Sequence, residues 1–267
     1  MKYRLLAADM DGTLLNEEGI ITDYTEAIIR KVVQLGIVFV PVTGRANPAL
    51  LKYSNSLPLN GYAITYNGAE IFNCATNRAT KKLSIDYATF KQIIDIGNKY
   101  HITMLIWCSN ELYCNELNDK TEHYQRICGV EPLPIKEIDD LRHLKITKVL
   151  WYADENTIQT MQVLLQGNSF ISSINVFKSQ PCFLEIVNSD VSKGKTLSFL
   201  ANQLGIPRTE IFAIGDGQND IDMLEYAGFA IAMGNADPLT KQVCDYITDT
   251  NNRDGAAKAI EMIINNV

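Results

Sequence analysis

Short apolar runs alternate along the chain with longer segments in which apolar residues recur at helical spacing. Residues 5–8 form a continuous apolar run, typical of a strand that is buried on both faces. Thr22 then stands where a helix N-cap is expected, an apolar stripe follows, and Gly36 is suited to the end of that helix. Residues 37–42 are again apolar and rich in β-branched side chains. This strand–helix–strand order predicts a βαβ unit with two parallel strands.

The same pattern occupies two separated parts of the chain. After a predicted helix at residues 47–56, the dipeptide Asn67-Gly68 separates two apolar runs and predicts a β-hairpin. From residue 189 onwards, short buried strands again alternate with helices. We therefore predict an α/β fold with a Rossmann-like parallel sheet, built from residues 1–82 and 188–267.

The middle of the chain has a different texture, in which helices alternate with hairpins. A helix is predicted from Tyr87 to Gly97, and a strand is predicted at residues 170–177. A joint at residues 131–134 contains two prolines. This mixture predicts an antiparallel α+β domain at residues 83–187, inserted as a cap between the two halves of the core.

Composition and charge narrow the functional classes. The chain has 267 residues, of which 46% are hydrophobic and 21% are charged, as in ordinary globular proteins. Its formal net charge is −7 and it has no long run of lysine or arginine, so we expect no nucleic-acid partner. No apolar run reaches the length of a membrane span, and the first residues lead directly into a strand. We therefore expect neither membrane association nor a signal peptide.

The cysteines indicate the cellular location. The six cysteines show no CxxC pair, so we expect reduced thiols and a cytoplasmic location. Cys108, Cys114, Cys128 and His123 are a candidate zinc set, but their spacing does not match that of known zinc sites.

Polar residues gather at the predicted carboxyl ends of three strands, where ligands bind in parallel α/β sheets. Asp9 and Asp11 follow the first strand and Thr43 follows the second. Taken alone, the first pair also fits an ordinary Asx turn. A third cluster follows the strand at residues 211–214, and Lys193 begins a helix; the cluster consists of Asp216, Asn219 and Asp220.

Together these residue types indicate phosphoryl transfer. A carboxylate can attack phosphorus to give a mixed anhydride that water then cleaves, while a second carboxyl group donates and accepts the proton. A carboxylate ~4 Å from a phosphate oxygen is repelled by roughly 4 kcal/mol per charge pair at an effective dielectric constant near 20. The acidic cluster should therefore hold Mg²⁺, with Lys193 as a second cation. The Thr43 hydroxyl and nearby backbone N–H groups, such as that of Gly44, suit the phosphoryl oxygens.

These motifs carry a family resemblance. Four segments, in order along the chain, are similar to the four motifs of the haloacid dehalogenase-like superfamily, and closest to its Cof-type phosphatases; they are Asp9-Met10-Asp11-Gly12-Thr13, Thr43-Gly44-Arg45, Lys193-Gly194 and Gly215-Asp216-Gly217-Gln218-Asn219-Asp220. Members of that group carry a large α/β cap between the second and third motifs. The similarity covers the two predicted core segments, and the middle agrees mainly in position and length.

The resemblance implies a role for each motif residue. Asp9 would be the nucleophile and Asp11 the general acid and base. Asp9, Asp216 and the backbone carbonyl of Asp11 would hold Mg²⁺, with Asp220 supporting the metal from behind. The phosphoryl group would be bound by residues of three motifs, namely Thr43, Gly44, Lys193 and Asn219.

The function predicted from these observations is Mg²⁺-dependent hydrolysis of a small-molecule phosphomonoester, such as a sugar phosphate. A phosphomutase with the same Asp-x-Asp start, a phosphoacceptor signalling module and a non-catalytic binding protein are the alternatives. Several side chains of the predicted cap are candidates for substrate recognition, namely Trp107, Tyr113, His123, Lys178 and Cys182. A residue of any of these types is more often found in a core, in a hairpin or at the surface than in a substrate site. Nothing in the sequence specifies an oligomeric state.

Overall fold

A computed structural model of the protein describes residues 2–265. Its contacts divide the chain into two compact units. The first comprises residues 2–44, 51–81 and 192–265, and the second comprises residues 45–50 and 82–191.

The strands of the described residues are, in chain order, β1 (Leu5–Asp9), β2 (Val38–Val42), β3 (Tyr62–Thr65), β4 (Glu70–Asn73), β5 (Arg78–Lys82), β6 (Thr103–Cys108), β7 (Glu111–Cys114), β8 (Leu133–Pro134), β9 (Ile146–Tyr152), β10 (Ile174–Gln180), β11 (Phe183–Asn188), β12 (Ile211–Gly215), β13 (Phe229–Ala232) and β14 (Tyr246–Ile247). The α-helices are α1 (Asp23–Gln34), α2 (Asn47–Leu51), α3 (Tyr87–Lys99), α4 (Asp119–Cys128), α5 (Glu155–Gln166), α6 (Lys193–Gln203), α7 (Ile221–Tyr226), α8 (Pro238–Gln242) and α9 (Gly255–Asn265).

The first unit is organised around a sheet with the order β14-β13-β12-β1-β2-β3-β4-β5. The strands from β14 to β3 are parallel, which confirms the predicted α/β core, and β3 and β4 form the predicted antiparallel hairpin. The chain leaves β1 towards β2 on one side, and it returns through β12 on the other. The switch point therefore lies between β1 and β12, where their carboxyl ends stand side by side.

Helices cover both faces of this sheet and pack against it through apolar side chains. On one face, α6 and α7 pack their buried side chains against strand residues such as Leu5 and Val40. The other layer includes α1 and α9, which pack against each other, and the hydroxyl of Tyr24 donates a 2.6 Å hydrogen bond to Glu261. The predicted Thr22 cap of α1 is confirmed, because its side chain accepts a hydrogen bond from the backbone N–H of Thr25.

The second unit contains a separate sheet with the order β10-β11-β9-β6-β7-β8, antiparallel except for the pair β7 and β8. Helices α3 and α5 contribute to one apolar core with strand residues such as Ile106 and Val149. Side chains alternate along a strand, so Trp107 points to the opposite face, where its indole N–H donates to the hydroxyl of Tyr124 on α4 at 3.0 Å. This unit therefore has helices on both faces of its sheet.

Two predicted helix boundaries are wrong. The helix predicted at residues 47–56 ends at Leu51, because the next residues form turns in which the backbone N–H of Ser54 bonds to the carbonyl of Leu51. The helix predicted to end at Gly97 continues to Lys99. Gly97 is buried there, and a Cβ atom at this position would lie 2.2 Å from the sulfur of Met104. This glycine therefore serves close packing and does not end the helix.

One predicted strand boundary is wrong, and two strands, β5 and β8, were not predicted. The first half of the strand predicted at residues 170–177 is a 3₁₀ helix, Ser169–Ser173, and β10 begins only at Ile174. Strand β5 was not predicted, because its sequence is polar and contains no apolar alternation. Among the described residues, no helix has the length and apolar character needed to cross a bilayer.

A buried ion pair lies inside the second unit. Lys148 of β9 and Glu185 of β11 are 3% and 7% exposed, and the ammonium donates to the carboxylate at 3.2 Å. Burial alone would lower the pKa of Lys148, but the charge of Glu185 opposes that effect and the pKa is raised overall. The lysine therefore stays charged in the interior and depends on its partner.

Removal of that partner is expected to destabilise the second unit. Glu185→Gln leaves the buried ammonium of Lys148 without its carboxylate, which costs about 3–5 kcal/mol in the free energy of unfolding. Both tryptophans of the chain, Trp107 and Trp151, lie in this unit, so urea titrations followed by tryptophan fluorescence report on it directly. The control is Glu155→Gln, which breaks the exposed pair with Lys178 and should cost less than about 1 kcal/mol. Equal losses for the two variants would contradict the prediction.

Candidate active site

The parallel sheet delivers two acidic residues to the same edge. Asp9 is the last residue of β1 and is 5% exposed, and Asp216 directly follows the last residue of β12. Asp9 is in register with Val42, so Thr43 follows at the end of the adjacent strand β2. The strand ends that the sequence predicted as a site are therefore neighbours at the switch point.

Lys193 joins two of the buried carboxylates. Ser192 caps α6, and Lys193 is the first residue of the helix and 1% exposed. Its ammonium donates to Asp9 Oδ1 at 2.6 Å and to Asp220 Oδ1 at 2.5 Å. A lysine at this end opposes the helix dipole, so the two carboxylates account for its placement.

Asp220 is held from both of its carboxylate oxygens. Its Oδ2 accepts hydrogen bonds from the backbone N–H groups of Asp216 and Gly217, both at 3.0 Å, while Oδ1 accepts from Lys193. The loop after β12 is thereby wrapped around this carboxylate. A Cβ atom at Gly215 would lie 2.7 Å from the Asp220 side chain, so the strand end must be glycine for this approach.

Burial and mutual repulsion shape the protonation of the acids. Burial, followed by the charge of Asp220, raises the pKa of Asp9 well above its usual range, while the charge of Lys193 acts in the opposite direction. Burial and then the charge of Asp220 raise the pKa of Asp216 to about 6, with smaller contributions from other neighbours. For Lys193, burial alone would lower the pKa, but the charges of Asp220 and Asp9 raise it overall. The cluster is therefore rich in negative charge and short of cations.

The turn after β1 packs closely against Asp216. Gly12 has a φ of +79°, and a Cβ atom there would lie 2.4 Å from Asp216 Oδ2. The hydroxyl of Thr13 donates to Asp216 Oδ1 at 2.8 Å. The amide of Asn235 donates to the carbonyl of Gly12 at 2.8 Å, which ties the same turn to the loop after β13.

Asn67 connects the end of β2 with the loop after β12. Its backbone N–H donates to the carbonyl of Thr43 at 2.9 Å, and its Oδ1 accepts from the amide of Asn219 at 3.0 Å. A Cβ atom at Gly44 would lie 3.0 Å from the same Oδ1. Asn67 has a φ of 59°, in the left-handed region that asparagine tolerates better than most residues. Asn67 thus bonds to Thr43 through its backbone and to Asn219 through its side chain, which also lies beside Gly44.

Asp11 differs from the other acids because it is exposed, on the loop that follows β1. The cluster of acids with carboxylate oxygens within 4.8 Å of one another consists of Asp9, Asp216 and Asp220.

The donor set fits a hard divalent cation. Three carboxylates bring together oxygen atoms, the kind of ligand that Mg²⁺ prefers, and the ammonium of Lys193 neutralises only one of their charges. Burial, and after it the charge of Asp220, raises the pKa of both Asp9 and Asp216, and a cation held by these carboxylates would favour their ionised forms.

Several supporting residues were missed by reasoning from the sequence. Thr13 was seen only as part of a motif and Asn67 only as a hairpin signal, and Asp222 was not singled out at all. Each acts through a contact with a residue far away in the chain, such as the 203 positions that separate Thr13 from Asp216. Sequence spacing carries no signal for contacts of this kind.

Comparisons with known proteins agree on one family. The profile of the haloacid dehalogenase-like hydrolases matches residues 6–260. YxeH of Bacillus subtilis (strain 168), provisionally named a phosphatase, is 31% identical over 268 residues, which cover 98% of each chain. YcsE of the same organism, named a 5-amino-6-(5-phospho-D-ribitylamino)uracil phosphatase, is 32% identical over 258 residues, which cover 96% of this chain and 94% of YcsE.

The fold gives the same assignment. The crystal structure of a haloacid dehalogenase-like hydrolase from Bacteroides thetaiotaomicron superimposes with a TM-score of 0.91 at 30% identity, covering 98% of this chain and 100% of the other. This chain therefore belongs to the haloacid dehalogenase-like hydrolase family, and it is an enzyme of the phosphatase class that the family contains.

Proposed function

We propose that this protein is a Mg²⁺-dependent phosphatase that hydrolyses small-molecule phosphomonoesters through an aspartyl-phosphate on Asp9. The observation that supports this most strongly is the contact between Lys193 and the two buried carboxylates of Asp9 and Asp220. A buried nucleophile next to a fixed ammonium, beside an acidic pocket of oxygen donors, is the arrangement that phosphoryl transfer needs.

The first step forms one bond and breaks one. A carboxylate oxygen of Asp9 attacks phosphorus and becomes an acyl phosphate, while the bond from phosphorus to the ester oxygen breaks. Asp11 donates its proton to the departing oxygen, so the alcohol leaves neutral. The charge of Lys193 favours the ionised form of Asp9 and acts against burial, which is the larger effect and raises the pKa of this carboxyl group overall.

The second step returns the enzyme to its starting state. Asp11, now ionised, takes a proton from water, and the water oxygen adds to phosphorus as the bond to Asp9 breaks. Inorganic phosphate leaves, and both aspartates regain their first protonation states. The exposure of Asp11 suits a residue that exchanges protons with substrate and water, whereas buried Asp9 is suited to covalent chemistry.

The residues that would hold Mg²⁺ are Asp9, Asp216 and the backbone carbonyl of Asp11. Asp220, whose two oxygens already accept hydrogen bonds, supports the site from behind. When bound, the cation offsets the repulsion between the carboxylates and the phosphoryl oxygens and orients that group for attack.

Thr43, Gly44 and Asn219 are proposed to bind the phosphoryl oxygens. Thr43 and Gly44 follow β2 next to Asp9, and Asn67 links Thr43 to Asn219. A hydroxyl, an amide and backbone N–H groups that are held in place before substrate arrives need no reorganisation during the reaction.

The substrate class and the domain roles complete the proposal. Residues 83–187 are proposed as the cap that selects the substrate, and residues 1–82 and 188–267 as the catalytic core; the support is that the second compact unit has its own core and sheet. The named activity of YcsE on a phosphorylated ribitylaminouracil supports a small phosphorylated metabolite, such as a sugar phosphate, as substrate. The six free cysteines agree with a reducing, cytoplasmic location.

A phosphomutase and a phosphoacceptor module remain the competing functions. A mutase would return isomerised product from a bisphosphate, whereas the proposed enzyme releases inorganic phosphate. A phosphoacceptor would keep a stable phosphorylated Asp9, but a carboxyl group at Asp11 shortens the life of such a species by activating water.

Replacement of the nucleophile is expected to abolish turnover. Asp9→Asn removes the attacking carboxylate, so phosphate release from p-nitrophenyl phosphate should fall on the order of 10³-fold or more. Circular dichroism should show an intact fold. The control is Asp86→Asn, which changes the cap of α3 in the other unit and should leave phosphate release unchanged. Substantial residual activity in Asp9→Asn would refute the covalent mechanism.

Loss of the hydroxyl at Thr13 is expected to weaken the use of Mg²⁺. EDTA should stop phosphate release by the wild type, and added Mg²⁺ should restore it. In Thr13→Val, Asp216 loses the 2.8 Å hydrogen bond that orients it, so the Mg²⁺ concentration for half-maximal activity should rise about 10–100-fold. Thr13→Ser keeps the hydroxyl and should respond like the wild type. A chelator-resistant wild type would argue against a metal-dependent reaction.

A further inference from the structure

The first turn of α6 is held by a side-chain contact outside the four motifs. Ser192 caps the helix, and its Oγ accepts a hydrogen bond from the backbone N–H of Lys195 at 3.0 Å. The same hydroxyl donates to Asp222 Oδ2, a carboxylate 30 positions further along the chain. The next residue after this cap is Lys193, whose ammonium contacts Asp9 and Asp220.

Backbone packing locks the same turn from two sides. A Cβ atom at Gly194 would lie 2.2 Å from the carbonyl oxygen of Asp222. On the other side, a Cβ atom at Gly68 would lie 2.4 Å from the carbonyl oxygen of Ser192, and the hydroxyl of Thr196 donates to the carbonyl of Gly68 at 2.8 Å. The start of α6 is therefore confined between the turn after β3 and the start of α7, and a small shift at Ser192 would displace Lys193.

A carboxylate such as that of Asp222 is not expected in a purely structural contact. Its Oδ1 is buried and has no hydrogen-bond partner among the described residues. A buried polar atom of this kind carries a desolvation penalty. The negative charge stands at the N-terminus of α6, where it offsets the unfavourable position of the Lys193 ammonium at the same end of the helix dipole.

We infer that Ser192 and Asp222 are positioning residues that act through Lys193. The inference rests on the proposed function, in which the ammonium of Lys193 is held against the nucleophile Asp9. Asp222 holds the Ser192 hydroxyl, Ser192 sets the first turn of α6, and the first turn sets the ammonium 2.6 Å from the nucleophile. Loss of either side chain would loosen the ammonium without removing it.

The chain offers a matched control for helix capping. Thr22 caps α1 in the same unit, its hydroxyl accepts from the backbone N–H of Thr25, and the hydroxyl also donates to the carboxylate of Asp254 at 2.6 Å. Thr22→Ala therefore removes a cap and a hydroxyl–carboxylate bond of the same kind as Ser192→Ala. The two variants differ in one respect, which is that Lys193 directly follows the Ser192 cap and not the Thr22 cap.

The test compares Ser192→Ala, Asp222→Ala and Asp222→Asn with Thr22→Ala in phosphate release from p-nitrophenyl phosphate with saturating Mg²⁺. Because a misplaced catalytic group costs up to about 100-fold, we expect kcat/KM to fall roughly 10- to 100-fold in Ser192→Ala and Asp222→Ala. The fall should appear in kcat more than in KM. Asp222→Asn keeps an acceptor oxygen and the side-chain shape, so it should fold and retain more activity than Asp222→Ala. Ser192→Thr should rescue most of the loss, and Thr22→Ala should stay within about twofold of the wild type.

A second readout follows the lysine without turnover. In the free enzyme, the ¹⁵N signal of the Lys193 side chain, identified by its loss in Lys193→Met, should shift or broaden in Ser192→Ala and Asp222→Ala but not in Thr22→Ala. The inference is overturned if this signal and kcat/KM are unchanged in both variants, or if Thr22→Ala shows the same losses. A wild type that releases no phosphate would refute the proposed function, and the lysine signal would still decide the role of Ser192 and Asp222.

Discussion

The structure of the site depends on one ammonium group placed between two buried carboxylates. Lys193 contacts Asp9, 184 positions away, and Asp220, 27 positions away. Each charge would carry a penalty of several kcal/mol if it were buried alone, so the three are stable in the interior only together. Helix α6, strand β1 and the loop after β12 must therefore arrive at one place before any of the three side chains is tolerated there.

The loops around this centre are organised to maintain that contact. Asp220 accepts two backbone N–H groups of its own loop, which closes the loop around its carboxylate. Gly12 and Gly194 permit two close approaches, one to the Asp216 side chain and one to the Asp222 backbone, that any Cβ atom would prevent. These approaches explain why glycine occupies both positions.

The excess of negative charge links the stability of the fold to its function. Raised pKa values of Asp9 and Asp216 mean that the folded protein binds protons at these carboxyl groups more tightly than the unfolded chain does. The folded state therefore loses stability as the pH rises through these values, unless a cation compensates.

Sequence reasoning succeeded where the physical signal is local. Apolar runs and helical stripes predicted β1, α1 and β2 and their parallel arrangement, because burial on a sheet leaves a period that the residues display. The polar clusters were also assigned to one site, because each follows a predicted strand and the carboxyl ends of parallel strands share one edge of the sheet. Single glycines predicted the ends of helices less reliably. Gly36 ends its helix in the left-handed region, whereas Gly97 lies inside α3, where the side chain of Met104 occupies the space that a Cβ atom would need.

By itself, then, the sequence determined the α/β class, the parallel arrangement of β1 and β2 and the residue types that gather at the switch point. Only the tertiary structure decided which side chains hold the others in place. The bonds from Thr13 to Asp216, from Asn219 to Asn67 and from Ser192 to Asp222 join residues that are 203, 152 and 30 positions apart. Contacts over such separations leave no period in a single chain, because they depend on how the elements pack and not on how each element forms.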